Sequence, residues 1–172
     1  MSYPANFTML KRGYGISDPA HTVQKYPIGA TFTDEAGNVY EYVKTASAVS
    51  IAQYGAVLLL AAGAQALTST LAAAKVRIGI AQVAVTAITS TYQYLWVLTK
   101  TGAGKTTSLK VAALCAAYAG LFSTATAGVV DDAFVDGCQI DGLCIGTAAT
   151  DAATATTAYV SFPFIRPTFA AS

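Results

Sequence analysis

The residues that could do chemistry in this chain are few and scattered. The one histidine, His21, stands near Ser17 and Asp18 in a proline-containing stretch. A Ser–His–Asp set works through its geometry in space, which nearness in sequence does not supply. His21 therefore reads as a solvated or interface histidine. Residues 102–107, Gly-Ala-Gly-Lys-Thr-Thr, have the closing letters of a phosphate-binding loop. The complete pattern needs a glycine five positions before Gly104, and Thr99 stands there. It also needs a following helix whose first backbone N–H groups meet the phosphate. Residues 107–111 (TSLKV) are β-branched and alternating instead, so the stretch reads as a hairpin turn, with a P-loop-like nucleotide binder as the weaker alternative.

Asp131, Asp132, Asp136 and Asp141 gather in one region. Calcium takes several carboxylate and carbonyl oxygens at once, but this spacing fits no EF-hand loop, and Gly128 and Gly137 place the acids in turns. A glycoside-hydrolysing pair would need a cleft to flank the scissile bond, and nothing in the sequence asks for one. Cys115, Cys138 and Cys144 are odd in number and fit no zinc spacing. They read as three reduced thiols in strands or core, which suits assembly in a reducing cytoplasm. The expectation is no catalytic residue, no metal and no cofactor.

What the chain has in place of a reactive centre is surface for contact. Of its 172 residues 54% are apolar and only 11% charged, against about 25% charged in an average chain. A permanent oligomer needs less charged surface, because more of it is covered. A net charge of +1 leaves no basic stripe for nucleic acid. The most apolar runs, 56–67 and 112–122, are shorter than the about 20 residues a membrane-spanning helix needs. No positive segment followed by an apolar core marks a secretory signal at the amino terminus. Ten tyrosines add rings with a polar tip, suited to interfaces.

The elements that would carry these residues are predominantly strands. Residues 1–22 lack a clear period and read as an extended N-terminal arm, with Tyr3, Phe7 and Tyr14 as candidate contact residues. Residues 23–172 read as a single β-rich domain. Strands are predicted over 30–33, 39–44, 56–61, 76–85, 92–99, 107–111, near 121–122, as a short strand between turns within 126–132, and over 138–146 and 156–165, with turn signals between them. Over 39–44, Tyr40 and Tyr42 share one face with Lys44. Their rings are expected to pack while their hydroxyls meet water or a partner, and Trp96 joins them as a candidate interface residue. Residues 64–75, rich in Ala, Leu and Gln, are the best helix candidate. Asp141-Gly142 reads as a bulge or kink, and Pro163 as a strand edge or end. The fold class is all-β with little helix: a barrel or sandwich of about eight to ten short antiparallel strands.

The order of these segments resembles that of tailed-phage head decoration, or capsid cement, proteins. It is carried by GATFTDEAGNVYEYVKTASAVSIAQYGAVLL from Gly29, then GIAQVAVTAITSTYQYLWVLTKTG, LFSTATAGVVDD and IDGLCIGTAATDAATATTAYVSFPFIRP, together about residues 27–167. The chain departs from the pattern at 98–102, where a shorter turn is usual, and the arm has no counterpart. The resemblance implies a β-barrel or sandwich protein, a homotrimer on the outer surface of the virion. Its partners would be the major capsid protein of a tailed phage and copies of itself, with no direct nucleic acid and no membrane. It would be made in the host cytoplasm. A head-fibre, tail or other virion adhesion module, such as a carbohydrate-binding β-sandwich, is the alternative.

Overall fold

A computed structural model describes residues 16–72, 75–89, 91–150 and 155–166. Tyr3, Phe7 and Tyr14 lie outside these residues. In chain order the strands are β1 (Thr31–Thr33), β2 (Val39–Lys44), β3 (Ala56–Leu58), β4 (Gln65–Ala66), β5 (Ile78–Ala81), β6 (Tyr94–Lys100), β7 (Thr107–Lys110), β8 (Leu121–Ser123), β9 (Val130–Asp131), β10 (Gln139–Ile145) and β11 (Ala155–Ile165). The protein is all-β, and no helix forms among the described residues.

All strand pairs are antiparallel, and their order along the sheet is β4-β3-β5-β6-β11-β10-β8-β9. β2 lies on β6 and carries β1, while β7 lies on β11. The sheet curls until its two ends meet. The Gly128 N–H donates to the Leu67 carbonyl at 2.8 Å, and the Ala56 N–H to the Gly128 carbonyl at 2.9 Å. The result is barrel-like.

Period-two alternation explains where the core sits. The interior holds Tyr40, Tyr42, Leu58, Ile78, Ile80, Trp96 and Leu98 from one half and Leu109, Leu121, Ile140, Ile145, Val160 and Ile165 from the other. The intervening residues Val43, Val57, Ala81, Leu95 and Val97 form a second cluster on the outer face, with Ile51, Val83 and Val85 from the loops. β2, β5 and β6 are thus buried on both faces. That is why they read as nearly continuous apolar runs.

Several local readings are revised. The described residues of 64–75 form no helix. Gln65 and Ala66 pair with Leu58 and Val57 as β4, and one turn follows in which the Ala72 N–H donates to the Thr68 carbonyl at 2.9 Å. Helix-forming composition yields here to a sheet partner. Pro163 sits at neither an edge nor a strand end. It is buried within β11, opposite the bulge between Asp141 and Leu143. A bulge is where a proline costs the ladder nothing. Gly142 makes that bulge possible. Its φ is +76°, and a Cβ there would collide with the Ser161 carbonyl.

Candidate functional site

The chemistry-bearing residues are brought into the structure, and most of them are occupied in holding it. His21 pairs with Tyr94 through both backbone groups, at 3.1 and 2.9 Å. Its side chain lies against Tyr42, with Nε2 2.6 Å from the Tyr42 hydroxyl, and its ring also hydrogen-bonds the Pro19 carbonyl. A carbonyl only accepts, so the ring nitrogen facing Pro19 carries the hydrogen. In the neutral ring Nε2 is then the acceptor for the Tyr42 hydroxyl. That hydroxyl accepts in turn from the Lys25 N–H at 3.0 Å. Burial, with a smaller push from Lys25, holds His21 below its ordinary value, while the Pro19 bond works against it. The residue is a clasp that ties the incoming chain to β2 and β6.

Tyr40, Tyr42 and Trp96 face inward, and this corrects the expectation that they meet a partner. Tyr42 is fully buried, with Trp96 directly opposite it across the β2–β6 ladder. Tyr26 packs edge-on to Tyr42 at 5.1 Å, and Trp96 lies 5.2 Å from both rings. Phe32 reaches Trp96 at 6.4 Å. The tyrosine hydroxyls find partners inside the chain instead of outside it. Tyr40 donates to Asp34 at 3.3 Å. Burial and the neighbouring Asp34 charge push the Tyr40 phenol up to about 12. Of the expected arm, the part that is described is anchored: Ile16 packs on the interior core, and His21 is held as above.

Residues 102–107 are not a hairpin turn. β6 and β7 do not pair with each other; both run along β11, one after the other, with Lys100 opposite Ser161 and Thr107 opposite Ala158. The stretch is an excursion between two collinear strands, and Thr101 fixes its start through bonds to both backbone groups of Val160. Gly102 backs onto the turn of residues 34–38. Its N–H donates to Asn38 Oδ1 at 2.8 Å, and a Cβ would strike the Ala36 carbonyl. Asp34 organises that turn by accepting from the Ala36 and Asn38 N–H groups, both at 2.9 Å, and from the Asn38 side chain at 2.8 Å. Burial raises the Asp34 carboxyl, but these bonds and that of Tyr40 outweigh it and leave the group below its ordinary value. A strand follows where a phosphate-binding loop requires a helix.

The four aspartates divide. Asp141, on β10, is bound by Arg166 through Nε at 2.9 and 3.0 Å. Asp131 and Asp132 stand with Cys115, and one ligand atom from each lies within 4.8 Å of the others. Burial, then the two carboxylates, push the Cys115 thiol up to about 11, so it keeps its proton. Asp132 accepts from the Ala116 N–H at 2.9 Å, and Asp131 accepts from the Asp132 N–H at 2.8 Å. The group ties the loop 112–120 to the turn 131–137. All three thiols are free.

Two surface features emerge that were not read from the sequence. The first is a set of projecting apolar side chains on the loops 112–120 and 131–137. Leu114, Tyr118 and Phe134 are 79%, 71% and 76% exposed, the largest values among the described bulky hydrophobic residues. Leu114 and Tyr118 hold φ of +62° and +58°, a region that bulky residues rarely adopt. Phe134 lies edge-on to Phe122 at 5.4 Å within an acidic turn, Asp131-Asp132-Ala133-Phe134-Val135-Asp136. An aromatic residue in so polar a turn was the one available signal. The second feature is a hollow of about 370 Å³ on the outer face, lined by Ile28, Leu59 and Leu60 and flanked by Lys44 and Arg77. Arg77 clamps the buried Glu41 through two bonds, at 2.7 and 2.8 Å.

No helix among the described residues is long and apolar enough to cross a membrane. The chain matches no family model, no curated protein and no solved structure.

Proposed function

We propose that this chain is a structural virion protein that decorates and stabilises an icosahedral tailed-phage head, bridging neighbouring major capsid protein subunits as a homotrimer. The observation that carries the reading is the order of strand-and-turn segments over residues 27–167, set in an all-β, barrel-like chain with 11% charged residues. Its physics is that of many modest contacts. One copy need only form an interface of ordinary size. Symmetric copies that each hold several subunits add by avidity, and together they resist the outward pressure of packaged DNA. The side chains with chemical potential support this reading by what they already do. His21, Asp34, Asp132 and Tyr42 are all engaged in tying loops to strands.

The test is co-sedimentation of the full chain with expanded heads lacking it, prepared from the particle whose genome encodes it. Saturable binding with a raised disruption temperature of the heads is expected. Absence of binding would remove the proposal. Deleting residues 1–15 keeps Ile16 and His21 and their packing, so the barrel should melt as the full chain does while attachment to heads weakens. Undiminished attachment would release the arm from that role.

A further inference from the structure

The two surface features complement each other. The projecting group is apolar and acidic: Phe134 stands between Asp132 and Asp136, and no lysine or arginine among the described residues pairs with Asp131, Asp132 or Asp136. The hollow is apolar and basic. Ile28, Leu59 and Leu60 line it, and Lys44 and Arg77 against the single carboxylate of Glu41 leave it one positive charge in excess. The two lie on different halves of the sheet, the hollow by β2 and β3 and the projection beyond β7 and β9. Exposed large apolar side chains rimmed by charge mark interaction sites, and bulky residues held at positive φ point to a constraint of function. The geometry points to a head-to-tail contact between copies of this chain. Phe134 enters the Ile28–Leu59–Leu60 hollow of the next copy, and the acidic turn meets Lys44 and Arg77.

Because the contact joins two different surfaces, it is heterologous: repeated by a closing rotation it makes a ring, with every copy giving one projection and one hollow. Burial of an aromatic anchor supplies the affinity. The opposed charges set register and suppress projection-to-projection pairing. The inference rests on the self-association part of the function proposed above and not on capsid binding.

The test uses two full-length variants. Phe134→Ser removes the projection and keeps the hollow; Ile28→Glu spoils the hollow and keeps the projection. Each alone is expected to associate roughly ten-fold or more weakly than the wild type. Mixed in equal amounts they should form a one-to-one dimer and stop there, because only one competent contact remains per pair. Mass by light scattering reads all of this. Thermal melting checks that each variant is folded, and Lys44→Glu replaces Ile28→Glu if the latter is not. Wild-type association by Phe134→Ser would overturn the contact while leaving self-association standing. A mixture that stays monomeric would overturn the head-to-tail pairing. A wild type monomeric at every concentration would remove this inference together with the self-association it rests on.

Discussion

The β2–β6 half of the molecule and the loop pair 112–120 and 131–137 treat their large side chains in opposite ways. In the first, Tyr26, Tyr40, Tyr42 and Trp96 are turned inward, and the Tyr40 and Tyr42 hydroxyls have partners within the chain. In the second, Leu114, Tyr118 and Phe134 are turned outward, and Leu114 and Tyr118 hold a backbone region unfavourable to their bulk. The first region is organised for stability. The second keeps apolar surface in water on a strained backbone, a cost that the proposed contact between copies would offset.

The contrast is broken most severely from the stable side. Trp96→Ala should cost about 3–5 kcal/mol, as a large cavity opens in a core shared by both halves. Urea unfolding measures it, and a loss under about 1 kcal/mol would mean that the aromatic cluster is peripheral. Gly102→Ala should cost about 1–3 kcal/mol, because the new methyl must displace the Ala36 carbonyl; a neutral result would separate the 34–38 turn from the excursion. In the outward loops the sign reverses. Leu114→Gly relieves the positive φ at an exposed position, so stability should stay level or rise by up to about 1 kcal/mol while association weakens. Both are read from paired melting and sedimentation runs. A destabilisation of the size seen at Trp96 would erase the distinction between the regions.

The mildest test is pH. His21 is held below its ordinary value of 6.5 by burial. As pH falls through the interval between 6.5 and that lower value, the unfolded chain takes up a proton that the folded chain resists. Its contribution is therefore complete above 6.5 and lost on acidification. Thermal melting across this interval should show stability falling with pH, and His21→Phe should flatten the slope. An unchanged slope would take the clasp out of the pH response. Asp34 acts in the same direction but lower, below its ordinary value of 3.8.

Much of the fold was legible, for a plain reason. Val39–Lys44 and Tyr94–Lys100 carry β-branched and aromatic residues at period two, and the turns between strands hold Gly, Asn and Asp where the chain reverses. The irregularity at Asp141-Gly142 was readable because a glycine inside a strand pattern marks one, and the Ser161 carbonyl leaves no room there for a Cβ. β4 was not. Gln65 and Ala66 favour a helix by composition, and only pairing with β3 decides otherwise. The orientation of the tyrosines was also hidden. Alternation places Tyr40 and Tyr42 on a common face, but whether that face is wet depends on Asp34 and on His21, 21 residues away from Tyr42. Leu114 and Tyr118 escaped because an alanine-rich run shows no period, and their exposure follows from backbone angles that composition does not encode.

The central claim, that this chain works by meeting copies of itself through its outward apolar loops, is tested most directly by its mass in solution across a wide concentration range. Light scattering should give a mass near three chains for the wild type and near one for Phe134→Ser. A wild type with the mass of a single chain even at millimolar concentration would contradict it.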